Sequence, residues 1–438
     1  MTMIPGSIDP PYAVVQETAQ VAYRKIFRRI VPFLMVCYIA AYLDRVNVGF
    51  AKLQMSHALG FNAAVYGFGA GIFFIGYFFF EVPSNMILHR VGARVWIARI
   101  MITWGLISGC FVFVSGAKMF YALRFLLGVA EAGFYPGIIL YITYWFPAHR
   151  RGKILTIFLS AIPISSLIGN PLSGLLMHNF DGLADLAGWQ WVFLVEALPA
   201  IILGFAVYFY LDNGPNEAKW LSEDEKRALA ADWPSQPEPP KESRWPVLDT
   251  FRDSRVWRMS FIYFCFVMGS VAMNFWMPSL VRAAGVKGVV HIGLISAIPF
   301  LVAIIILNIF GWSADYFRER RWHVAIPALI GAVGFIGAAS ASGVLVTVFF
   351  LSLGAAGAVT SVAMFWCLPT AFLTGTSAAA GIALTNSVGN LAGFASPYMI
   401  GVLEDISGTA RDAMYILAVI VIIGALVALT VPRKLVNR

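Results

Sequence analysis

The sequence is poor in charge. Of its 438 residues only 12% are Asp, Glu, Lys or Arg, while 59% are hydrophobic. Soluble domains carry about 25% charged residues, so a water-soluble enzyme of this length is excluded. Cysteine is also scarce. Cys37, Cys110, Cys265 and Cys367 each fall inside an apolar run without CxxC spacing. That argues against a disulfide framework or thiolate metal site and reads as buried apolar cysteine. Histidine is missing from the middle of every apolar run. The six are His57, His89, His149, His178, His291 and His323, all at run ends or in loops, so no histidine is placed to carry a proton there. The first 25 residues contain no apolar core of a signal peptide, and none is expected to be cleaved. Alternating ten-residue segments are absent too, which disfavours a membrane β-barrel.

Long continuous apolar runs are what the sequence does have. A spanning helix needs roughly 20 apolar residues, so twelve would use about 240. The runs predict an all-α polytopic membrane protein with helices over 30–54, 63–88, 95–115, 119–145, 154–178, 189–211, 256–281, 290–317, 322–340, 344–371, 377–403 and 413–432. Between these runs, 22 Lys and Arg fall on one side and only Lys118, Arg282, Lys287 and Arg411 on the other. The positive-inside rule puts both termini in the cytoplasm. This bias also accounts for the net charge of +8 without nucleic acid. The organisation expected is a tail over 1–29, a six-helix bundle over 30–211, a cytoplasmic linker over 212–254, a second six-helix bundle over 255–432 and a tail over 433–438. The linker is Pro-rich over 233–240 and is expected to be helical around Ser222 to Ala231. His89 to Arg94 after the second run and Asp315 to Arg320 after the eighth are offset by 226 residues, as are Pro171 and Pro397. The two halves therefore read as pseudo-symmetric repeats, with a site expected between them near the midplane.

Five charges sit where the bilayer penalises them: Asp44, Arg45, Glu81, Arg124 and Glu131. Each costs on the order of 3 kcal/mol at the bilayer centre and is functional by default. Asp44 and Arg45 point about 100° apart on a helix and serve different neighbours. One reading makes them a proton site and an anion site; the other makes them structural ion pairs. Arg124 and Glu131, seven residues apart, share a face but lie ~10 Å apart along the axis, so each needs a partner elsewhere, with Asp44 and Arg45 the candidates. Glu81 is expected in a structural or gating role, and Glu196 in a helix-packing hydrogen bond. The second half offers uncharged groups for a pocket: Asn274, Trp276, Ser361, Trp366, Asn386 and Asn390. No nucleophile–base pair, metal set or phosphate loop is seen, so neither enzyme activity nor cofactor nor metal is expected.

These stretches resemble the anion:cation symporter branch of the major facilitator superfamily over about 25–435. The resemblance rests on Leu43 to Ala51, Glu81 to Asn85, Arg124 to Gly133 with Pro136, Trp145-Phe146-Pro147 with Arg150-Arg151-Gly152, Ser296 to Pro299, and Gly389 to Gly393. It implies that Arg45 binds the substrate carboxylate, that Asp44 and Glu131 take up protons, and that Arg124 links Glu131 to the substrate site. Tyr42, Tyr77 and Asn390 resemble pocket positions. His89, Arg90 and Arg94 correspond to a cytoplasmic gate, with His89 where the family usually has Asp; Asp315 and Arg320 form its second copy. Ile162 and Pro163 fall where some sugar-acid carriers of the branch have a Gln.

The reading is a proton-coupled importer of a small organic anion in a bacterial inner membrane, monomeric by default, with lipid as its other partner. Phthalate-like or tartrate-like dicarboxylates rank above aldonates such as galactonate. An anion exchanger is the rival within transport, and a membrane anion sensor the rival outside it.

Overall fold

The computed structural model describes residues 10–232, 252–317, 319–372 and 375–436, so the Pro-rich run 233–240 lies outside the described residues. The described chain is helical throughout, without a strand. The first half contains α1 (Pro10–Leu59), α2 (Ala63–Val91), α3 (Ala93–Gly109), α4 (Ala117–Glu131), α5 (Phe134–Trp145), α6 (Ala148–Leu159), α7 (Ala161–Asn179) and α8 (Gly188–Tyr210). A short helix, α9 (Glu223–Asp232), follows. The second half contains α10 (Ser254–Ala283), α11 (Val289–Phe317), α12 (Arg321–Ser340), α13 (Val344–Phe365), α14 (Gly375–Ser407) and α15 (Arg411–Leu429). The pairs α4–α5 and α6–α7 each make one crossing, which gives twelve crossings in two six-helix bundles. Among the described residues eleven crossings are long and apolar enough to span a bilayer. The twelfth is α14, whose Thr385, Asn386, Ser387, Asn390 and Ser396 lower its hydropathy. Large apolar side chains such as Leu345, Phe209 and Ile202 lie exposed on the outside of the bundles, as a lipid-facing surface requires. The protein is a multi-pass membrane protein.

Several sequence expectations are corrected. The first helix runs from Pro10 to Leu59 rather than over 30–54, because hydropathy marks only the part of a helix that lies in the apolar layer. The fourth crossing is broken rather than continuous over 119–145. Gly133 takes the left-handed conformation at φ 87°, α4 stops at Glu131, and Pro136 sits in the first turn of α5, where its missing N–H costs nothing. The fifth crossing also breaks between α6 and α7, since Pro163 has no N–H to return to Leu159. Cys37 and Cys265 are buried as expected, but Cys110 is exposed and Cys367 half-buried. The helix expected near Ser222 does form, with Ser222 and Glu225 capping its start reciprocally at 2.8 and 3.1 Å. Lys25 of α1 reaches Glu225 at 3.1 Å and docks it.

Two seams join the halves, α2 against α14 and α7 against α11. The repeat relates them. A Cβ on Gly67 would lie 2.3 Å from the Pro397 carbonyl oxygen, and one on Gly293, 226 positions later, would lie 2.5 Å from the Asn170 carbonyl oxygen, beside Pro171. At the same end of the seams, a Cβ on Gly401 would lie 2.2 Å from the Ala63 carbonyl oxygen, and one on Gly174 2.7 Å from that of Val289. Helices approach this closely in a membrane only through small residues. Polar contacts seal the same end. Asp405 accepts from the backbone N–H groups of Ala63 and Ala64 at 2.9 Å each, holding the free N-terminus of α2. Lys52 of α1 pairs with Glu404 of α14 at 3.1 Å, and Trp276 donates to the same carboxylate at 2.9 Å.

Within the second half, Gly357 packs so closely on α12 that a Cβ would lie 2.3 Å from the Gly331 nitrogen. Gly357→Ala is expected to cost about 1–3 kcal/mol through overpacking. Gly214→Ala, with nothing within 4 Å of the added carbon, is expected to stay within about 0.5 kcal/mol of the parent. Unfolding of both variants in detergent micelles checks the contrast.

Candidate functional site

The site begins on α1. Tyr38, Tyr42 and Arg45 stand at i, i+4 and i+7, so they share one face, while Asp44 turns away from it. The Arg45 guanidinium donates from Nε to Glu131 Oε1 at 2.9 Å and gives a second N–H to the same oxygen. Glu131 is the last residue of α4, where the helix carbonyls gather negative charge. A carboxylate there needs a cation, and the break at Gly133 brings it to one. Tyr42, Phe73 and Tyr77 present their rings to Arg45 at 4.8, 5.2 and 5.6 Å, which stabilises the guanidinium through its cation–π contacts.

Asp44 faces α3 instead. Its Oδ2 accepts from Trp104 Nε1 at 2.8 Å, and its Oδ1 accepts from Ser108 Oγ at 2.8 Å and Asn47 Nδ2 at 3.3 Å. It is 2% exposed, and among the described residues it has no ion-pair partner. Arg124, expected to link Glu131 to the site, makes no hydrogen bond to Glu131 among the described residues. Its Nε and Nη2 donate to the backbone carbonyls of Gly69 and Ala70 on α2, and its guanidinium lies 4.9 Å from the Phe73 ring. The carbonyls are available because Gly69 lets the Phe120 ring and α4 come close, so backbone dipoles solvate the cation in place of an acid.

A cavity of about 170 Å³ lies between the halves beside this cluster. Among the described residues, Arg45 is the one charged residue in its lining. Of the residues expected to contact substrate, Arg45, Tyr42, Tyr77, Asn274, Trp366, Asn386 and Asn390 line it. Trp276 does not: it is fully buried at the sealed end, with Lys52 4.4 Å above its ring. Trp276 therefore belongs to the closure between halves, because its indole N–H found a carboxylate there rather than the cavity. Three of the lining amides are already engaged. Asn386 and Asn390 donate to Glu81 at 3.1 and 3.2 Å across the α2–α14 seam, and Asn274 of α10 accepts from Ser166 of α7 at 3.3 Å. Glu81 thus ties the halves together near the cavity without lining it.

The remaining expectations lie apart. Glu196 accepts from Ser173 Oγ at 2.6 Å, a packing hydrogen bond between α8 and α7. Arg90 is exposed. Arg94 donates to the Tyr208 carbonyl and lies 4.8 Å from the Tyr208 ring, and Arg320 donates to the Cys367 carbonyl at 3.1 Å. These contacts stay within their own halves. The His89 and Asp315 side chains fall outside what is described.

Sequence reasoning missed Tyr38, Tyr135 and Tyr263, all of which line the cavity. For Tyr38 the signal was present in its spacing to Tyr42 and Arg45. Tyr135 and Tyr263 carried none, because each is one aromatic among many on its helix. Lys52 was missed as well; it is an intramembrane charge near a helix end whose partner lies 352 positions away.

The sequence profile of the Major Facilitator Superfamily matches residues 34–397. The chain is 48% identical to the putative metabolite transport protein NicT of Pseudomonas putida, covering 97% of each. It is 47% identical to a putative tartrate transporter of Agrobacterium vitis, covering 94% of each. Its fold is similar to that of a bacterial homologue of the human lysosomal transporter Spinster, with TM-score 0.74, 15% identity and 98% of each chain covered. The chain is a membrane transporter rather than an enzyme, and it belongs to the major facilitator superfamily.

Proposed function

We propose that this transporter imports a small organic anion together with protons across a bacterial inner membrane. The observation that carries the reading is the Arg45–Glu131 pair beside a cavity that is tyrosine-rich and, among the described residues, otherwise uncharged. A proton on Glu131 and an anion on Arg45 together replace one ion pair there. Protonating Glu131 removes its charge and frees the guanidinium for an incoming carboxylate. Losing that proton restores the pair and expels the anion. Asp44 is the second proton site on this reading, one helix face away from the anion. Two protons with a monoanion would carry one net positive charge inward, worth about 2.3 kcal/mol per 100 mV; with a dianion the step is electroneutral.

The excess of Lys and Arg on one side supports cytoplasmic termini. The end closed by Lys52, Glu404 and Asp405 then faces outward, and the cavity discharges to the cytoplasm. The gate roles of Arg90, Arg94, Arg320, His89 and Asp315 belong to that cytoplasmic side. For the substrate, the tyrosine-rich wall supports an aromatic or compact hydroxy acid with one carboxylate on Arg45, and the relative named for tartrate supports a hydroxy dicarboxylate. Ile162 and Pro163 both line the cavity and supply no amide for the hydroxyls of a sugar acid, which ranks aldonates lower.

The reading is tested with purified protein in liposomes that hold a pH-sensitive dye, offered phthalate, tartrate, galactonate, 4-hydroxyphenylacetate and glutamate in turn. Internal acidification with one of them, lost in Arg45→Ala, is expected. Uptake of labelled anion without acidification would establish exchange instead. Glu131→Gln is expected to retain exchange of internal for external anion but to lose proton-driven accumulation, and its uptake is expected no longer to rise as external pH falls. The three atoms nearest a Cβ on Gly401 all belong to the opposite half, so Gly401→Val opposes closure of the outer end. It is expected to lower net uptake roughly tenfold. In a background lacking the native cysteines, it should also increase labelling of Ser270→Cys by an impermeant maleimide added outside.

A further inference from the structure

Lys52 is an intramembrane cation that the transport scheme uses only as part of a seal. It stands seven residues after Arg45 on α1, with Gly49 between them at i+4. The three share one face of the helix, and the two cations lie ~10 Å apart along its axis. Lys52 is 8% exposed. Its ammonium lies 3.1 Å from Glu404 Oε2, 4.4 Å from the centre of the Trp276 ring and 5.0 Å from that of Tyr66. Trp276 Nε1 donates to the same Glu404 oxygen at 2.9 Å. A receptor for a carboxylate is therefore built here, and the protein's own glutamate occupies it. The setting repeats that of Arg45, a cation on aromatic rings paired with an internal carboxylate.

Three observations point to an incoming anion. First, Glu404 and Trp276 belong to the second half, whereas Lys52 and Tyr66 belong to the first. Among the described residues Glu404 is the one ion-pair partner of Lys52. Asp405 lies on α14 as well and is engaged by the N–H groups of Ala63 and Ala64. Parting of the halves at this end leaves Glu404 with its indole donor and Lys52 without a carboxylate. Second, α10 of the opposite half covers the face of α1 between the two cations. A Cβ on Gly49 would lie 3.0 Å from the Asn274 carbonyl oxygen and 3.1 Å from that of Phe275. Asn274 also lines the substrate cavity, so the same parting uncovers a path from Lys52 to Arg45. Third, a cavity of about 490 Å³ lies outside the seal, and its lining includes Leu53, Arg282 and Lys287. Arg282 donates to the Leu53 carbonyl at 3.0 Å, and neither Arg282 nor Lys287 has an ion-pair partner among the described residues. Two of the few basic residues on this face thus stand at the entrance, where a positive field concentrates anions.

We propose that Lys52 is an outer binding site for the carboxylate of the incoming anion, which takes the place of Glu404 there before passing to Arg45. This rests on the anion-import reading and adds to it a site apart from the substrate cavity. The anion and Glu404 compete for one ammonium. The outer end therefore closes only after the carboxylate has moved on to Arg45, and Glu404 then opposes its return.

The test uses intact bacterial cells that express the full chain, so that labelled anion arrives from outside only. The probes are phthalate, tartrate, galactonate, 4-hydroxyphenylacetate and glutamate, and KM is measured for each that the wild type takes up. Lys52→Met is expected to raise KM roughly tenfold with the maximal rate little changed, and Lys52→Arg to recover most of that loss. Glu404→Gln removes the competing carboxylate and is expected to lower KM by at least about twofold. A pair that acts only as a clasp behaves differently. Removing either partner then loosens the outer end alike, so Lys52→Met and Glu404→Gln both lower KM. That result, or an unchanged KM in Lys52→Met, overturns the proposal. Because Lys52→Met leaves Glu404 without its cation, the double variant Lys52→Met/Glu404→Gln is measured too. A KM above that of the wild type supports the proposal, and one at or below it overturns it. If wild-type cells take up none of the five anions beyond cells without the transporter, the import reading fails and takes this proposal with it. Exchange without proton coupling would sink the symport reading and leave the Lys52 comparison standing.

Discussion

A guanidinium and a carboxylate 2.9 Å apart in an apolar interior set the terms for the rest of this molecule. Neither Arg45 nor Glu131 could stay charged there alone at acceptable cost. Keeping them together requires α4 to stop at Glu131, and the left-handed Gly133 and the proline that starts α5 provide that stop. The stop places the carboxylate at a helix C-terminus, where it is disfavoured unless a cation answers it. The pair is therefore held in place without being self-sufficient. On the proposed function, a proton for one member and an anion for the other take it apart, with the aromatic rings around Arg45 as its environment in either case.

The other charges are stabilised by different means. Arg124 rests on backbone carbonyls, Asp44 on three neutral donors, Glu81 on two asparagine amides, and Lys52 on Glu404 between two aromatic rings. Of these contacts, those of Lys52 and Glu81 cross between halves, one at the sealed end and one near the cavity. They sit on seams made of glycine against backbone, in which the sequence repeat places Gly67 on Pro397 and Gly293 beside Pro171. Glycine contacts of this kind carry no directional bond. On the proposed function, the halves part along them once the polar ties release, as alternating access demands of an interface.

Much of this was legible in the sequence. Twelve apolar runs, the excess of basic residues on one side and the 226-residue offset specified a duplicated helical membrane protein, because a bilayer tolerates so few alternatives. The intramembrane charges drew attention to this region for the same reason, and Arg45, Tyr42, Tyr77 and Asn390 line the cavity. The helix breaks at Gly133 and Pro163 left weaker marks, since glycine and proline are common in membrane helices and most do not interrupt them.

What the sequence determined by itself is the kind of solvent this chain inhabits, the number of its crossings, their pairing into repeats and the identity of the charges that needed explaining. What only the tertiary structure decided is which charge answers which. Arg45 could have met Asp44, Glu131 or Glu81, and Arg124 could have met any of them. Trp276 could have faced the cavity as readily as Glu404. Composition and spacing fix the face of a helix on which a side chain stands, but the partner across the gap depends on how two helices far apart in sequence rotate and break against each other. That is set by the packing of glycines against backbone, and a glycine in the sequence does not say which backbone it will meet.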